Sequence, residues 1–310
     1  MNNMTSFFIL TLLLSVFYTD RLQAQKWEKK NLPFEARLVH AMTANASGCF
    51  ITGGRLAQGG RSDEMISISG DSIHRYAIKK PTARDGHSLV TSLHGELLMF
   101  GGNTSDGPVN ELWKYDDHTW KLIIEHGDTV PMPRWGHAAV YFDKKYWIFG
   151  GKGSKSGEFY QDLWTWDGNR WELKESILKP APRYGVQLGI YRNKVFLYGG
   201  RDHSGNWFTD TWIWDNGWQQ IVIDSALQQP RASVGFSLIS AKEDLFLIGG
   251  IFKGDSFPEM WKWSGKYWKL VNKVPFILDF PAGCFDPVTN LLVVSGSSGN
   301  NFEYWNYLLN

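Results

Sequence analysis

Residues 131–171 are PMPRWGHAAVYFDKKYWIFGGKGSKSGEFYQDLWTWDGNRW, and their pattern of turn residues and aromatic side chains decides the fold class. A Pro/Arg motif around Arg134 is followed by a hydrophobic run that ends in Gly150 and Gly151. An acidic residue and Trp164 come next, and a second Trp follows at Trp171. Short apolar runs separated by Gly, Pro, Asp and Asn are typical of antiparallel strands joined by tight turns. The stretch therefore predicts a unit of four short strands.

The same unit recurs along the chain. Its hydrophobic run and Gly pair appear six times, 46–50 residues apart, with the last copy degraded to Ser295-Gly296. A fixed period of this length indicates a repeat architecture, and periodic Gly and aromatic residues favour a propeller whose blades are small sheets. We predict an all-β, six-bladed β-propeller with four antiparallel strands per blade.

The two ends of the chain predict how the ring closes. The last unit stops after its third strand, near Trp305, whereas Trp27-Glu28-Lys29-Lys30 resembles the fourth strand that begins at Trp171. A closed ring leaves no unpaired edge, so we expect the N-terminal strand to complete the sixth blade. The predicted single domain covers residues 25–310, with blades at about 37–80, 84–128, 134–178, 183–226, 231–274 and 280–310 plus 25–32.

These repeats resemble the kelch family, over residues from about 26 to 310, in the double Gly, the following Trp and the second Trp. The resemblance implies that the Gly pairs permit tight backbone turns and that the register Trp residues pack between blades. The implied structural residues are Gly53, Gly54, Gly101, Gly102, Gly150, Gly151, Gly199, Gly200, Gly249, Gly250, Trp113, Trp120, Trp164, Trp171, Trp212, Trp218, Trp261 and Trp268.

Composition and the N-terminal segment indicate the compartment. A net charge of +1 and a pI near 7.8 provide no field that would attract nucleic acid. The apolar run from Phe7 to Phe17 is too short to span a bilayer and precedes Leu22-Gln23-Ala24, a small-residue cleavage signal. We expect residues 1–24 to be a signal peptide and the mature protein to be a secreted or periplasmic monomer without a membrane span.

The candidate binding surface is the loop face, defined as the face that carries the loops between blades and the loops after the Gly pairs. Arg side chains there could bind carboxylates in a bidentate manner, or each could pair with an acidic residue of its own or the next blade. Aromatic residues outside the Trp register are the best indication of a ligand. The ligand-binding candidates are Arg84, Arg134, Trp135, Arg183, Tyr184, Arg201, His203 and Trp207, and Phe208 is a further off-register aromatic residue.

The His and Cys residues leave alternatives open. His40, His87 and His137 occupy equivalent positions and could ligate a metal, but separate blades hold them apart, and we predict no metal and no cofactor. Cys49 and Cys284 fall in blades that become neighbours at ring closure, so they are either buried free thiols or a disulfide.

The sequence favours a non-catalytic extracytoplasmic binding protein that recognises a protein, peptide or glycan through the loop face. No catalytic residue can be assigned, and the enzyme status stays open. Enzymes that share the kelch repeat supply two alternatives by resemblance. One is a carbohydrate-active enzyme such as a sugar mutarotase or isomerase, and the other is a copper oxidase of the galactose oxidase type. Fold alone does not choose among them.

Overall fold

The computed structural model describes residues 27–77, 81–116, 118–123 and 129–309. The expected signal peptide, residues 1–24, lies outside the described residues. Six four-stranded antiparallel sheets form the blades of a propeller, which confirms the predicted fold class. The described part of the chain has no helix long and apolar enough to cross a membrane.

Each blade runs from an inner first strand to an outer fourth strand. The strands are Ala41–Asn45, Gly48–Thr52, Met65–Ser69 and Ser72–Arg75 in blade 1; Ser88–Thr91, Leu97–Phe100, Leu112–Asp116 and Thr119–Ile123 in blade 2; Ala138–Phe142, Lys145–Phe149, Leu163–Trp166 and Trp171–Lys174 in blade 3; Gln187–Tyr191, Lys194–Tyr198, Thr211–Trp214 and Trp218–Ile221 in blade 4; Ser237–Ala241, Asp244–Ile248, Glu259–Trp263 and Trp268–Lys273 in blade 5; Asp279–Asp286, Leu291–Ser298, Asn301–Leu308 and Trp27–Lys30 in blade 6. Three two-stranded ribbons also lie in the loops: Arg37–Leu38 with Arg55–Leu56, Asn103–Thr104 with Gly107–Pro108, and Ile251–Phe252 with Asp255–Ser256.

The ring closes at the predicted seam. Trp27–Lys30 pairs antiparallel with Asn301–Leu308, so that Trp27 lies opposite Tyr307 and Lys29 lies opposite Trp305. The first strands of blades 6 and 1 also contact each other, as do the first strands of every other neighbouring pair. The N-terminal strand of the chain is therefore the outer, fourth strand of the last blade.

The hydrophobic core is divided among the blade interfaces. Six buried clusters each combine side chains of two consecutive blades. The second register Trp of a blade packs on an aromatic residue of the preceding blade: the ring centroids of Trp171 and Phe100 are 5.2 Å apart, and those of Trp218 and Phe149 are 5.5 Å apart. Burial of large aromatic rings stabilises each interface. Each repeat of the sequence therefore contributes one buried cluster of the core.

The Gly pair turns the chain at the loop face, where only Gly fits. Gly150 has a φ of +69°, and a Cβ atom at this position would lie 2.7 Å from the carbonyl oxygen of Arg183 in the next blade. A side chain would therefore meet both an unfavourable backbone conformation and a backbone atom. The turn brings the loops of neighbouring blades into direct contact.

Candidate functional site

The register Arg residues lie beneath the loop face and bind the chain itself. Arg134 is 0% exposed. Its guanidinium donates to both carboxylate oxygens of Asp162, at 2.6 and 2.8 Å, and to the carbonyl oxygens of Gly150 and Met132. The Asp162 carboxylate also accepts a hydrogen bond from the indole of Trp164. One ion pair thus joins the connecting loop, the Gly pair and the register Trp of a single blade.

The arrangement repeats in the neighbouring blades. Arg84 pairs with Glu111 and Arg183 pairs with Asp210, while Arg37 pairs with Glu64 in blade 1. Burial alone raises the pKa of Glu111, but hydrogen bonds from Arg84 and Trp113 lower it overall. Two roles were open for these Arg residues from the sequence. Their burial and pairing favour the structural role, so Arg84, Arg134 and Arg183 are not available as ligand contacts.

Phe208 lies outside the Trp register, as predicted, but it occupies a recurring position of its own and is not a ligand-specific aromatic residue. Its ring lies 3.8 Å from the guanidinium carbon of Arg183. Tyr160 covers Arg134 and Phe257 covers Arg231 in the same manner, both at 4.3 Å. The sequence carries a signal for this equivalence, because each of these aromatic residues stands two positions before the acidic residue of its blade, although its distance from the Gly pair differs.

In blades 3 and 4, two variable positions pair with each other at the loop face. In blade 3 these are Trp135, directly after the register Arg, and Lys152, directly after the Gly pair. Their main chains exchange two hydrogen bonds, of 3.1 and 3.0 Å. Tyr184 and Arg201 form the same pair in blade 4, with two bonds of 3.1 Å. Each backbone pair therefore places an aromatic ring beside a cation.

The two pairs meet in one cleft, because blades 3 and 4 are adjacent. We call it the cationic cleft; its volume is about 680 Å³. The residues that line it include Trp135, Lys152, Phe159, Tyr184, Arg201, Asp202 and His203. Four of the sequence-predicted candidates line it. Trp135, Tyr184 and Arg201 come from adjoining loops, and His203 adds an exposed imidazole at the rim. The eight candidates thus separate into three buried Arg residues, four residues that line this cleft, and Trp207 behind Arg201.

Aromatic rings surround the cations of the cleft. Lys152 Nζ lies 4.2 Å from the ring centroid of Trp135 and 4.7 Å from that of Tyr184. The guanidinium carbon of Arg201 lies 5.1 Å from Trp207 and 5.8 Å from Tyr184. Trp207 contacts Arg201 from outside the cleft and does not line it. Its ring packs on that of Phe252, with the centroids 5.2 Å apart. The cations are held in place by ring faces.

The two cations of the cleft differ from the register Arg residues in their pairing, although Asp202 also lines the cleft. Within the described part of the chain, neither Lys152 nor Arg201 forms an ion pair with a carboxylate. Arg201 Nε is buried and has no hydrogen-bond partner there. Burial and the nearby charges of Arg201 and Arg55 lower the pKa of Lys152. Arg55 is itself held by the buried Asp85, 2.9 Å away. The cleft thus presents two like charges that an anion would neutralise.

Lys152 was not among the sequence-predicted candidates. The sequence contains a signal that could have identified it, because the position directly after the Gly pair is basic in three of the blades, at Arg55, Lys152 and Arg201. This position varies in residue type while its neighbours repeat. Variation within an otherwise regular repeat marks side chains that the core does not need.

The three register His residues act as buried links between blades. Nε2 of His40, His87 and His137 shares a hydrogen bond with a hydroxyl of the preceding blade, namely Ser295, Thr52 and Ser88, at 2.8, 2.8 and 2.7 Å. Burial and the neighbouring charge of Arg37 lower the pKa of His40 to about 3, and burial and Arg134 do the same for His137. These imidazoles are therefore neutral at pH 7. The described residues contain no group of three or more His, Cys, Asp or Glu that could hold a metal ion.

Known proteins show similarity to this chain in sequence and in fold. The family model described as the KLHDC2/KLHL20/DRC7 Kelch-repeats domain matches residues 39–250. The dynein alpha chain of the flagellar outer arm of Chlamydomonas reinhardtii is 30% identical over 207 residues, which are 57% of this chain and 5% of that protein. Human host cell factor 2 is 28% identical over 210 residues, 59% of this chain and 26% of its own length.

The solved structure of YjhT superimposes with a TM-score of 0.68 and covers 89% of this chain and 95% of its own. Its identity of 15% shows a shared fold and no more. The chain spans well under two thirds of the two curated relatives named above, whereas the family model matches most of it. Because the family model matches more than half of its residues, and because the six blades repeat the kelch pattern, this chain belongs to the kelch-repeat family.

Proposed function

We propose that this protein is a binding module that holds an acidic segment of a partner protein in the cationic cleft. The observation that carries the proposal is the absence of a carboxylate partner for Lys152 and Arg201 among the described residues, in a cleft walled by Trp135, Phe159 and Tyr184. Membership of the kelch-repeat family supports a protein-binding role. The walls and the charges together fit an apolar or aromatic residue next to Asp or Glu.

The energetics of such a complex follow from the state of the free cleft. Charge-assisted hydrogen bonds contribute about 1.5–3 kcal/mol each when they replace contacts with water. Arg201 is already oriented by Trp207 and Tyr184, so its side chain loses little freedom when a carboxylate binds. A bound carboxylate also relieves the repulsion between Arg201 and Lys152. Both effects favour an anionic partner over a neutral one.

A peptide selection tests the proposal. A phage library of random peptides is selected on the purified protein, and the enriched peptides are measured by fluorescence anisotropy. We expect Asp or Glu beside an aromatic or branched apolar residue in the enriched set. Each of Lys152→Ala and Arg201→Ala should weaken binding by about 10-fold or more, and added salt should weaken it further.

Arg192→Ala is the matched control. Arg192 is exposed in the turn between the first two strands of blade 4, on the opposite face, and it also lies over an aromatic ring, 5.2 Å from that of Tyr191. Its removal should leave the affinity unchanged. Peptides that bind Lys152→Ala and Arg201→Ala as tightly as the native protein would contradict the proposal, as would binding confined to anionic glycans on an array.

Catalysis on a sugar receives less support from the geometry. Ring opening of a sugar requires a group that can exchange a proton at the ligand. The opening of the central channel on the loop face, about 220 Å³ in volume, is lined by Trp135, Tyr184, Phe280 and other side chains that include no Asp or Glu among the described residues. The imidazoles that reach it are nearly buried and bound to hydroxyls. Binding therefore accounts better for the loop face.

We also propose export, with residues 1–24 removed near Ala24. The apolar run and the small-residue cleavage signal described above support it. Expression of the full chain with a C-terminal tag, followed by fractionation and intact mass measurement, provides the test. A tagged protein that keeps residues 1–24 and stays with the cytoplasm would refute export without affecting the proposed cleft.

A further inference from the structure

The two cysteines of the chain meet at the seam between blades 1 and 6. Cys49 lies in the second strand of blade 1 and Cys284 in the first strand of blade 6, and their Sγ atoms are 3.5 Å apart. Cα atoms of these two strands approach within 8 Å of each other. A disulfide has an S–S bond of about 2.05 Å, so each sulfur would have to move by only about 0.7 Å.

The surroundings of the pair suit a disulfide. Cys49 is 0% exposed and Cys284 is 8% exposed, within the apolar cluster that joins blades 6 and 1. Ile51 and Val293 pack there, and a disulfide is itself a compact apolar group. No other cysteine exists in the chain to compete for either partner.

The position of the pair in the ring makes a bond there consequential. Cys49 and Cys284 are 235 residues apart in sequence, so the bond would enclose most of the propeller in one covalent loop. The ties already present at this end of the ring are non-covalent: the pairing of Trp27–Lys30 with Asn301–Leu308 holds blade 6 together, and hydrogen bonds such as that of His40 with Ser295 cross to blade 1. A bond between Cys49 and Cys284 would join blade 6 to blade 1 covalently.

We infer that Cys49 and Cys284 form an intramolecular disulfide that locks the propeller across the seam of blades 1 and 6. Two S–H bonds break and one S–S bond forms. The two electrons and two protons pass to a disulfide oxidant, such as glutathione disulfide or an oxidised dithiol oxidoreductase, which becomes two thiols. Such a bond persists in oxidising compartments, the kind of compartment that the N-terminal segment predicts.

The order of folding and oxidation follows from the burial. Burial and the neighbouring Cys49 raise the pKa of the Cys284 thiol, and the thiolate is the species that exchanges with disulfides. The folded seam therefore reacts slowly. Oxidation takes place while the seam is still open, and closure of the ring then buries the bond. The inference is independent of what the cationic cleft binds.

The test is refolding of the full chain from denaturant, in parallel, in a glutathione redox buffer and in dithiothreitol. Each sample is denatured again, treated with N-ethylmaleimide, reduced, treated with iodoacetamide and digested for mass spectrometry. After the redox buffer we expect iodoacetamide on both cysteines, and a linked peptide pair before reduction. N-ethylmaleimide on both cysteines of folded, monomeric protein from the redox buffer would overturn the inference.

Thermal unfolding gives a second readout. The oxidised protein should melt about 5–10 °C above the reduced protein, because the bond constrains the unfolded chain. The control is the double variant Cys49→Ala/Cys284→Ala, whose melting temperature should be the same in both buffers. If the melting temperature of the double variant differed between the buffers as much as that of the native protein, the disulfide would not be the cause of the difference. That result would overturn the stabilising role of the bond.

Discussion

Arg134 and Arg201 lie in neighbouring blades, close to the same face, but they differ in whether a carboxylate neutralises their charge. Arg134 is fully buried, with Asp162 and two carbonyl oxygens around its guanidinium. Arg201 stands over the rings of Tyr184 and Trp207 with its Nε unpartnered among the described residues. The first occupies a position that recurs in the blades, and the second a position that varies. The charge of Arg134 is therefore neutralised within its blade, while that of Arg201 is left for a partner.

The largest expected effect separates the two Arg residues by stability. Arg134→Ala leaves the Asp162 carboxylate and the Gly150 carbonyl without their donor, and loss of one partner of a buried ion pair costs about 3–5 kcal/mol. Arg201→Ala removes no ion pair and should change the free energy of unfolding by less than about 0.5 kcal/mol. Urea denaturation at pH 7 measures both. Similar losses for the two variants would erase the distinction between recurring and varying charges.

Glycine residues provide a second form of the same comparison. Gly150→Ala should cost about 2–3 kcal/mol, because its left-handed backbone conformation is joined by a contact of 2.7 Å with the Arg183 carbonyl. Gly205, in the variable loop of blade 4, has a φ of +86° and no atom within 4 Å of an added Cβ. Gly205→Ala should cost only about 1 kcal/mol. The same denaturation experiment checks the difference, and a Gly205 variant as unstable as the Gly150 variant would contradict it.

The register His residues predict a loss of stability in mild acid. An unfolded His has a pKa near 6.5, whereas the pKa of folded His137 is about 3. Between these values the unfolded chain binds a proton that the folded chain does not, so stability is present above pH 6.5 and is lost as the pH falls toward 3. At pH 5 the loss from His137 relative to pH 7 is about 2 kcal/mol.

His137→Gln isolates this contribution. Gln can keep a hydrogen bond to Ser88 but does not titrate. The difference in unfolding free energy between pH 7 and pH 5 should shrink by about 2 kcal/mol in this variant. An unchanged pH dependence would mean that His137 is accessible to protons in the folded protein.

The fold was predictable because every blade must bury the same kind of interface. Gly150 and Trp171 have counterparts one period away, and Trp27 could be assigned to the last blade because its segment matches the strand that begins at Trp171. Pairing of Arg134 with an acidic residue of its own or the next blade was one of the two roles that the sequence left open, without Asp162 being identified as the partner. The period of the sequence shows that an Arg and an acidic residue both recur in the blades. It does not show whether the Arg side chain points into the blade or out toward solvent.

The cleft was only partly predictable. Trp135, Tyr184 and Arg201 were identified as ligand-binding candidates, but their convergence depends on loops whose length and backbone path do not recur. Lys152 was missed since a Lys beside a Gly pair resembles an ordinary turn residue. Its significance arises from three-dimensional features: the rings of Trp135 and Tyr184 lie around it, and no carboxylate of the described residues forms an ion pair with it.

The smallest expected effect is also the one whose sign matters most. Lys152→Gln removes a cation that faces Arg201 and Arg55 without an acidic partner among the described residues, so it should leave stability unchanged or raise it by up to about 0.5 kcal/mol. Lys114→Gln is the matched control, because Lys114 lies 2.9 Å from Glu96 and its loss should lower stability by about 0.5 kcal/mol. Salt should reduce both differences. A clear loss of stability in Lys152→Gln would place Lys152 with the recurring, structural charges. If Lys152→Gln left the stability unchanged or raised it and also weakened peptide binding, the charge of Lys152 would be required for recognition and not for folding.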